Sequence, residues 1–336
     1  MPNTPRTHLV MAPSTSELLF DAPRRERLRR LSGGEVSEIP DLDDPACAAA
    51  LADAEVLITS WGAPQLTAER LARMPRLRAV FHAAGSVRAL VSDAVWERDL
   101  LVTSAAEENA IPVAEFAFAA IVLATKRTFF HVRSEPEDRP GWIGNVPRDD
   151  YGTLGRTIGV VAFSRTGRRL VRLLTQLEDV RILVADPYAD ADEVRAAGGE
   201  LVPLSEMLGR VDVLSLHAPS LPSTRHMIGA AQLAALRDGA VVLNTARGSI
   251  LDHDALAAEC GSGRLDAILD VTDPEPLPLD SPLLRLPNVA ITPHLAGSLG
   301  SETRRLADEA LDELEAYAAG RAPLHPVAAR ELEVSA

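Results

Sequence analysis

The sequence predicts an α/β protein of two parallel-sheet domains, and three observations carry that prediction. Short β-rich runs alternate with helical patterns along almost the whole chain, as parallel strands joined by crossover helices do. A polar stretch over 134–150, holding Pro136, Pro140, Gly141, Gly144 and Pro147, interrupts the alternation, which then starts again. The length of 336 residues suits two domains of ordinary size.

Before the interruption, strands are expected at 8–11, 56–59, 78–81 and 101–103, with helices at 24–31 and 68–74. A long amphipathic helix is expected from about Val113 to Phe130. After the interruption, strands at 157–162, 180–185, 211–216, 240–244, 267–270 and 289–292 alternate with helices such as 167–177 and 191–197. A helix over 301–319 closes the pattern, and no short tandem repeat is visible. Ligands of such sheets bind outside the carboxyl ends of the strands, so the active site is expected in the cleft between the two domains.

Composition narrows the function. Hydrophobic residues make up 46% and charged residues 24%, which excludes a disordered or fibrous chain. Lys and Arg total 34 against 48 Asp and Glu, a net charge of −14. That balance argues against nucleic-acid partners and anionic membranes, and leaves any anionic substrate to a few local cations. Cys47 and Cys260 lie far apart, with neither disulfide-framework nor metal-ligand spacing, so reduced thiols and no metal are expected. The N-terminus lacks a signal-peptide layout, and the most apolar stretch, 113–125, contains Glu115 and reads as too short to span a bilayer. The expectation is a soluble cytoplasmic protein.

The segment Ala162-Phe-Ser164-Arg165-Thr166-Gly167 sits where a strand turns into a helix. A dinucleotide loop there wants G-x-G-x-x-G, and only the third glycine, Gly167, is present. The helix N-terminus would still face a diphosphate; Arg165 would add charge, and the Ser164 hydroxyl a hydrogen bond. About twenty residues on, strand 180–185 ends in Asp186, the place for a carboxylate on an adenosine ribose 2′-OH. An acid at that point favours NAD over NADP, because it would repel a 2′-phosphate.

Three later strands each run straight into a charged or titratable residue. Asn244-Thr-Ala-Arg247-Gly248 follows one, Asp270-Val-Thr-Asp-Pro-Glu275-Pro276 the next, and Thr292-Pro293-His294 the last. Chemistry on a 2-oxo acid needs a cation for the carboxylate, which an arginine fork supplies. It also needs an acid–base group near neutrality, for which histidine is the default, and a carboxylate to orient that ring. Hydride comes from a nicotinamide. His82, His217 and Asp212 compete for these roles without an equally good trio.

From about Ala54 to Pro323 the chain resembles the D-isomer-specific 2-hydroxyacid dehydrogenase family. The resemblance rests on Asn244-Thr-Ala-Arg247-Gly248-Ser-Ile-Leu-Asp, on Leu269-Asp270-Val271 with Pro274-Glu275-Pro276-Leu277-Pro278, and on Leu286-Pro287-Asn288-Val289 with Ile291-Thr292-Pro293-His294-Leu295-Ala296-Gly297. Val113-Ala114-Glu115 resembles the start of the family's domain-crossing helix. It implies two Rossmann-like or flavodoxin-like domains: a discontinuous substrate domain, 1–111 with 298–336, and an NAD-binding domain, 112–297. It further implies that Arg247 binds the substrate carboxylate, that His294 is the acid–base, and that Glu275 is its partner. The cofactor would be lined by Ser164, Arg165, Thr166, Gly167, Asp186, His217, Ala218, Pro219, Thr224, Thr245, Ala246 and Gly297, with Asp270 on the nicotinamide amide. Ala84, Gly85 and Ser86 would offer backbone N–H groups to the carboxylate, and Trp61 and His82 would shape the side-chain pocket with Arg88. The family's habit implies a homodimer joined through the cofactor domain.

Two departures from the family pattern stand out: the Ala162-x-Ser164 loop, and His82-Ala-Ala-Gly85-Ser-Val-Arg88 in place of a more glycine-rich, aspartate-bearing segment. The leading expectation is an NAD-dependent enzyme interconverting 2-oxo and D-2-hydroxy acids. A formate dehydrogenase would carry Gln where Glu275 stands, and a phosphite dehydrogenase a lysine near Gly85. The alternative of a different class is a non-enzymatic NADH sensor or corepressor on the same fold.

Overall fold

The computed structural model describes residues 4–133 and 151–333; the polar stretch 134–150 lies outside them. The chain divides into two compact units, Met1–Asn109 with Ser298–Val334, and Ala110–Gly297.

In the first unit four parallel strands lie in the order β1 (Thr7–Val10), β2 (Val56–Thr59), β3 (Ala79–His82), β4 (Leu101–Ser104). They are buried almost throughout, as strands covered on both faces are. Neighbouring residues alternate between faces: Leu57 and Val80 join a core with Leu51, Leu71 and Val95. Ile58 and Phe81 join the opposite one with Leu28, Leu306 and Leu311. The last three of those come from helices, including Thr303–Ala318, which returns from the far end of the chain.

A fifth strand is reduced to one bridge. Leu9 pairs in parallel with Glu38, through Leu9 N–H to the Ser37 carbonyl (3.0 Å) and Ile39 N–H to the Leu9 carbonyl (2.8 Å). Because this bridge precedes β2 in sequence yet lies on the other side of β1, the strand order reverses between β1 and β2. That is the flavodoxin-like order, whose ligands bind at the reversal.

Among its described residues the second unit holds seven parallel strands: β5 (Thr157–Val161), β6 (Arg181–Ala185), β7 (Glu200–Leu201), β8 (Val213–Leu216), β9 (Val241–Asn244), β10 (Asp266–Leu269) and β11 (Val289–Ile291). Their order is β11-β10-β9-β8-β5-β6-β7, a Rossmann-like sheet that reverses between β5 and β8. Since every pairing is parallel, all the carboxyl ends emerge on one edge. β7 is too short to announce itself by periodicity.

The helix expected over 113–130 is two helices. Ala106–Thr125 starts earlier and runs through the buried Pro112, whose missing N–H costs only the bond to the Glu108 carbonyl. It ends where Arg127 takes a left-handed φ of 52°, after which Thr128–Arg133 begins. At 20 residues it is long and apolar enough to cross a membrane, which corrects the reading of its apolar part as too short. Half of its most apolar window is buried: Ala114, Ala117, Ala120, Ile121 and Ala124 pack on one face of the second sheet with Val160 and Val184.

Candidate active site

The carboxyl edge of the second sheet presents, in spatial order, the ends of β6, β5, β8, β9, β10 and β11. Asp186, Ser164, His217, Arg247, Asp270 and His294 therefore follow neighbouring strands, although the chain separates them widely.

His294 lies three residues past β11 and Glu275 six past β10. His294 Nδ1 and Glu275 Oε1 are 2.6 Å apart, and both side chains reach solvent. An ionised carboxylate only accepts, so Nδ1–H donates and the ring's other nitrogen, Nε2, is left for a substrate. His294 itself has a left-handed φ of 52°, a conformation that an L-residue holds only when its surroundings impose it. Asp270 imposes it. Its carbonyl accepts the His294 N–H (3.0 Å). Its carboxylate, 2% exposed, accepts Thr292 Oγ1–H (2.6 Å) and the N–H groups of Leu295 (2.8 Å) and Ala296 (2.9 Å). The resemblance implies a nicotinamide contact for this residue, and within the chain its carboxylate also holds the histidine loop.

Arg247 is braced in the same manner. The fully buried Asn244 donates from Nδ2 to the Arg247 carbonyl (2.9 Å) and accepts the Ala246 N–H (3.1 Å). Gly248 lies so close to the segment leading to Glu275 that a Cβ there would stand 2.0 Å from the Thr272 carbonyl. Arg247 reaches solvent, yet enough protein surrounds it that lost hydration lowers its pKa, an effect that the nearby Glu275 carboxylate opposes. A guanidinium remains charged regardless.

The competing candidates separate cleanly. Burial pushes His217 down to about 3 and His82 to about 4, so both rings are neutral near pH 7. His217 Nε2 is 2.8 Å from Ser215 Oγ; His82 Nδ1 is 2.9 Å from Thr59 Oγ1, and its ring also bonds the Ser86 backbone. Asp212 accepts the Thr157 N–H and bonds Arg156 and Arg237 at the opposite, amino edge of the sheet.

The worn glycine loop keeps its shape. Ala162 stands in left-handed backbone, φ 74°, where the fingerprint has its first glycine. Gly167 is obligatory, since a Cβ would lie 2.1 Å from the Ala162 carbonyl oxygen. Ser164 caps helix Arg165–Leu174, its Oγ accepting the Gly167 N–H at 3.3 Å, which leaves the hydroxyl proton to donate. Asp186 accepts the N–H groups of Phe163 and Tyr188, both at 2.8 Å, tying the ends of β5 and β6 together. Thr224 Oγ1 donates to the Pro219 carbonyl (2.6 Å) and accepts the Leu221 N–H (2.9 Å), closing the loop after β8. Past the ends of β9 and β8, Thr245 Oγ1 and His217 Nδ1 are buried and have no partner among the described residues. A helix N-terminus, a strand-end acid and two unanswered polar atoms along one edge fit a dinucleotide.

The remaining expected residues belong to the first unit. Trp61 follows β2, and His82 ends β3 and is followed by Ala84, Gly85 and Ser86. Asn109, which sequence reasoning did not single out, braces them: its Nδ2 is 3.0 Å from where a Gly85 Cβ would stand, and its Oδ1 accepts the Ser298 N–H. Thr292 and Asn244 were visible only as motif letters, and Gly248 only as the glycine after the arginine.

Residues 119–296 match the D-isomer specific 2-hydroxyacid dehydrogenase NAD binding domain. The chain is 34% identical over 276 residues to a glyoxylate reductase of Korarchaeum cryptofilum, covering 81% of this chain and 82% of that one. It is 30% identical to a D-3-phosphoglycerate dehydrogenase of Methanocaldococcus jannaschii over 79% of its own length but 50% of the relative's; it thus spans about half of that longer protein. A phosphoglycerate oxidoreductase from Rhizobium etli superposes with a TM-score of 0.82 at 26% identity, over 97% of this chain and 99% of that one. The chain belongs to the D-isomer-specific 2-hydroxyacid dehydrogenase family. Its general chemistry is the NAD(H)-dependent interconversion of 2-hydroxy and 2-oxo acids.

Proposed function

We propose that the protein is an NAD-dependent D-2-hydroxyacid dehydrogenase in which Arg247, His294 and Glu275 act on the substrate. The observation that carries this reading is the 2.6 Å His294–Glu275 pair, open to solvent on the sheet edge that also bears Arg247.

In the reductive direction the Arg247 guanidinium binds the substrate carboxylate, joined by the backbone N–H groups of Ala84, Gly85 and Ser86. The protonated His294 gives its Nε2 proton to the carbonyl oxygen as that oxygen becomes a hydroxyl. Glu275 holds the ring by Nδ1 and offsets its positive charge before the transfer. A bound nicotinamide supplies the hydride to C2 and takes it back in the oxidative direction. Ser164, Arg165, Thr166 and the helix behind Gly167 would hold its diphosphate, Asp186 its ribose hydroxyls, and Thr245, Ala246, His217, Ala218, Pro219 and Gly297 would line its path. The Asp186 carboxylate disfavours a 2′-phosphate, which makes NAD the preferred form.

Titrating the purified protein with NADH and NADPH by nucleotide fluorescence tests the cofactor half. Tighter NADH binding, followed by 2-oxo acid-dependent NADH oxidation, supports the reading. Binding without turnover of any 2-oxo acid would instead favour an NADH sensor, and binding of neither nucleotide would remove both.

A further inference from the structure

The family's chemistry is indifferent to what the 2-oxo acid carries beyond C2, and the first unit speaks to that. Its strand order reverses between β1 and β2, so the ligand end of this sheet is the carboxyl end of those two strands. There the turns are pressed together. Ala12 N–H donates to the Trp61 carbonyl (3.3 Å), and a Cβ on Gly62, φ 82°, would stand 2.7 Å from the Ala12 Cβ. One strand over, Ser60 Oγ donates to the Ala83 carbonyl (2.8 Å), tying the turn that carries Trp61 to the loop with Ala84, Gly85 and Ser86. Trp61 leaves this braced turn with 41% of its surface exposed, while its neighbours Ser60 and Ala83 are buried.

The charges at this edge are as telling. No ionisable residue occurs in 11–16, 60–66 or 83–87, the segments that follow β1, β2 and β3. The first cation beyond them is Arg88, which has partners within the chain. After β4 come two acids, Glu107 and Glu108. A phosphorylated or sulfonated side chain, a second anion beyond the carboxylate, would find no cation within these turns. A side chain no larger than hydrogen would leave the indole uncovered.

We infer that the substrate is a 2-oxo acid with an uncharged, bulky apolar side chain, aryl or branched alkyl, and that Trp61 packs against it. This rests on the proposed function, in which 84–86 meet the substrate carboxylate. Covering an indole with a ring or an isobutyl group is worth about tenfold or more in kcat/KM, by the usual increment per buried methylene.

The test is a steady-state panel with NADH on the full chain: glyoxylate, pyruvate, phosphohydroxypyruvate, 2-oxo-4-methylpentanoate and phenylpyruvate. The expected result places the last two at least about tenfold above the first three in kcat/KM. Trp61→Ala should then shrink the phenylpyruvate-to-pyruvate ratio by about tenfold, with Trp61→Phe restoring most of it. A preference for glyoxylate or phosphohydroxypyruvate, or a ratio indifferent to Trp61→Ala, overturns this inference and leaves the dehydrogenase reading standing. Failure to reduce any 2-oxo acid overturns that reading, and this inference with it.

Discussion

The Asp270 carboxylate takes a 2.6 Å hydrogen bond from Thr292 Oγ1 just past the ends of the paired strands β10 and β11. With the Leu295 and Ala296 N–H groups on the same carboxylate, the residue just past β10 holds the loop that carries His294. An acid that the resemblance puts on the cofactor thus also holds the backbone around His294.

Asp270→Asn keeps the shape but turns one acceptor into a donor facing N–H or O–H groups. It should lower kcat by about tenfold or more and reduce the unfolding free energy by about 1–3 kcal/mol, as an unmatched buried polar group does. Thr292→Val removes one bond and should cost about 1 kcal/mol. Steady-state kinetics and urea unfolding of the two variants check the order.

His294→Ala should lower kcat by about 10²–10⁴-fold, the usual worth of a positioned acid–base. Arg247→Ala should raise KM for the 2-oxo acid and lower kcat together, because the guanidinium both anchors the carboxylate and polarises the carbonyl, and the second interaction strengthens in the transition state. Arg247→Lys should recover little, since a point charge lacks the planar fork. Wild-type rates in His294→Ala and Arg247→Ala would refute the assignment.

Two small-residue changes should move stability in opposite directions. Gly248→Ala drives a methyl to 2.0 Å from the Thr272 backbone and should cost about 2 kcal/mol or more. Ala162→Gly relieves a left-handed alanine worth about 1–2 kcal/mol, partly offset by the flexibility glycine adds to the unfolded chain. A net gain of up to about 1 kcal/mol in chemical denaturation is expected.

The buried histidines make the fold acid-sensitive. With folded values of about 3 for His217 and about 4 for His82, both below the ordinary 6.5, the unfolded state binds protons that the folded state refuses. Their contribution is whole above pH 6.5 and is lost as the pH falls toward 4, by at most about 3 kcal/mol per ring. Urea midpoints at pH 7, 5.5 and 4.5 should decline accordingly, and His217→Gln should flatten the curve.

Local sequence was enough to place most of these elements, because strand and helix leave their periods in neighbouring residues. Residues 56–59 and 191–197 are the strand and helix expected, to the residue. Arg247, Glu275 and His294 were legible because each follows a strand in a motif of adjacent letters. The start of the helix at Ala106 was not, since Pro112 reads locally as a beginning while the packing around it tolerates one lost bond. Nor was the bridge at Glu38, a single residue with no period, which makes the first sheet reverse between β1 and β2.

The sequence alone determined the α/β class, the restart of the pattern after 134–150 and the residue types of the trio. Only the tertiary structure decided that Asp270 grips Thr292, that Gly248 must be bare and that His82 and His217 are too buried to carry a proton near pH 7. Those facts follow from strand order and burial, which are set by contacts between residues far apart in the chain and leave no mark in any local window.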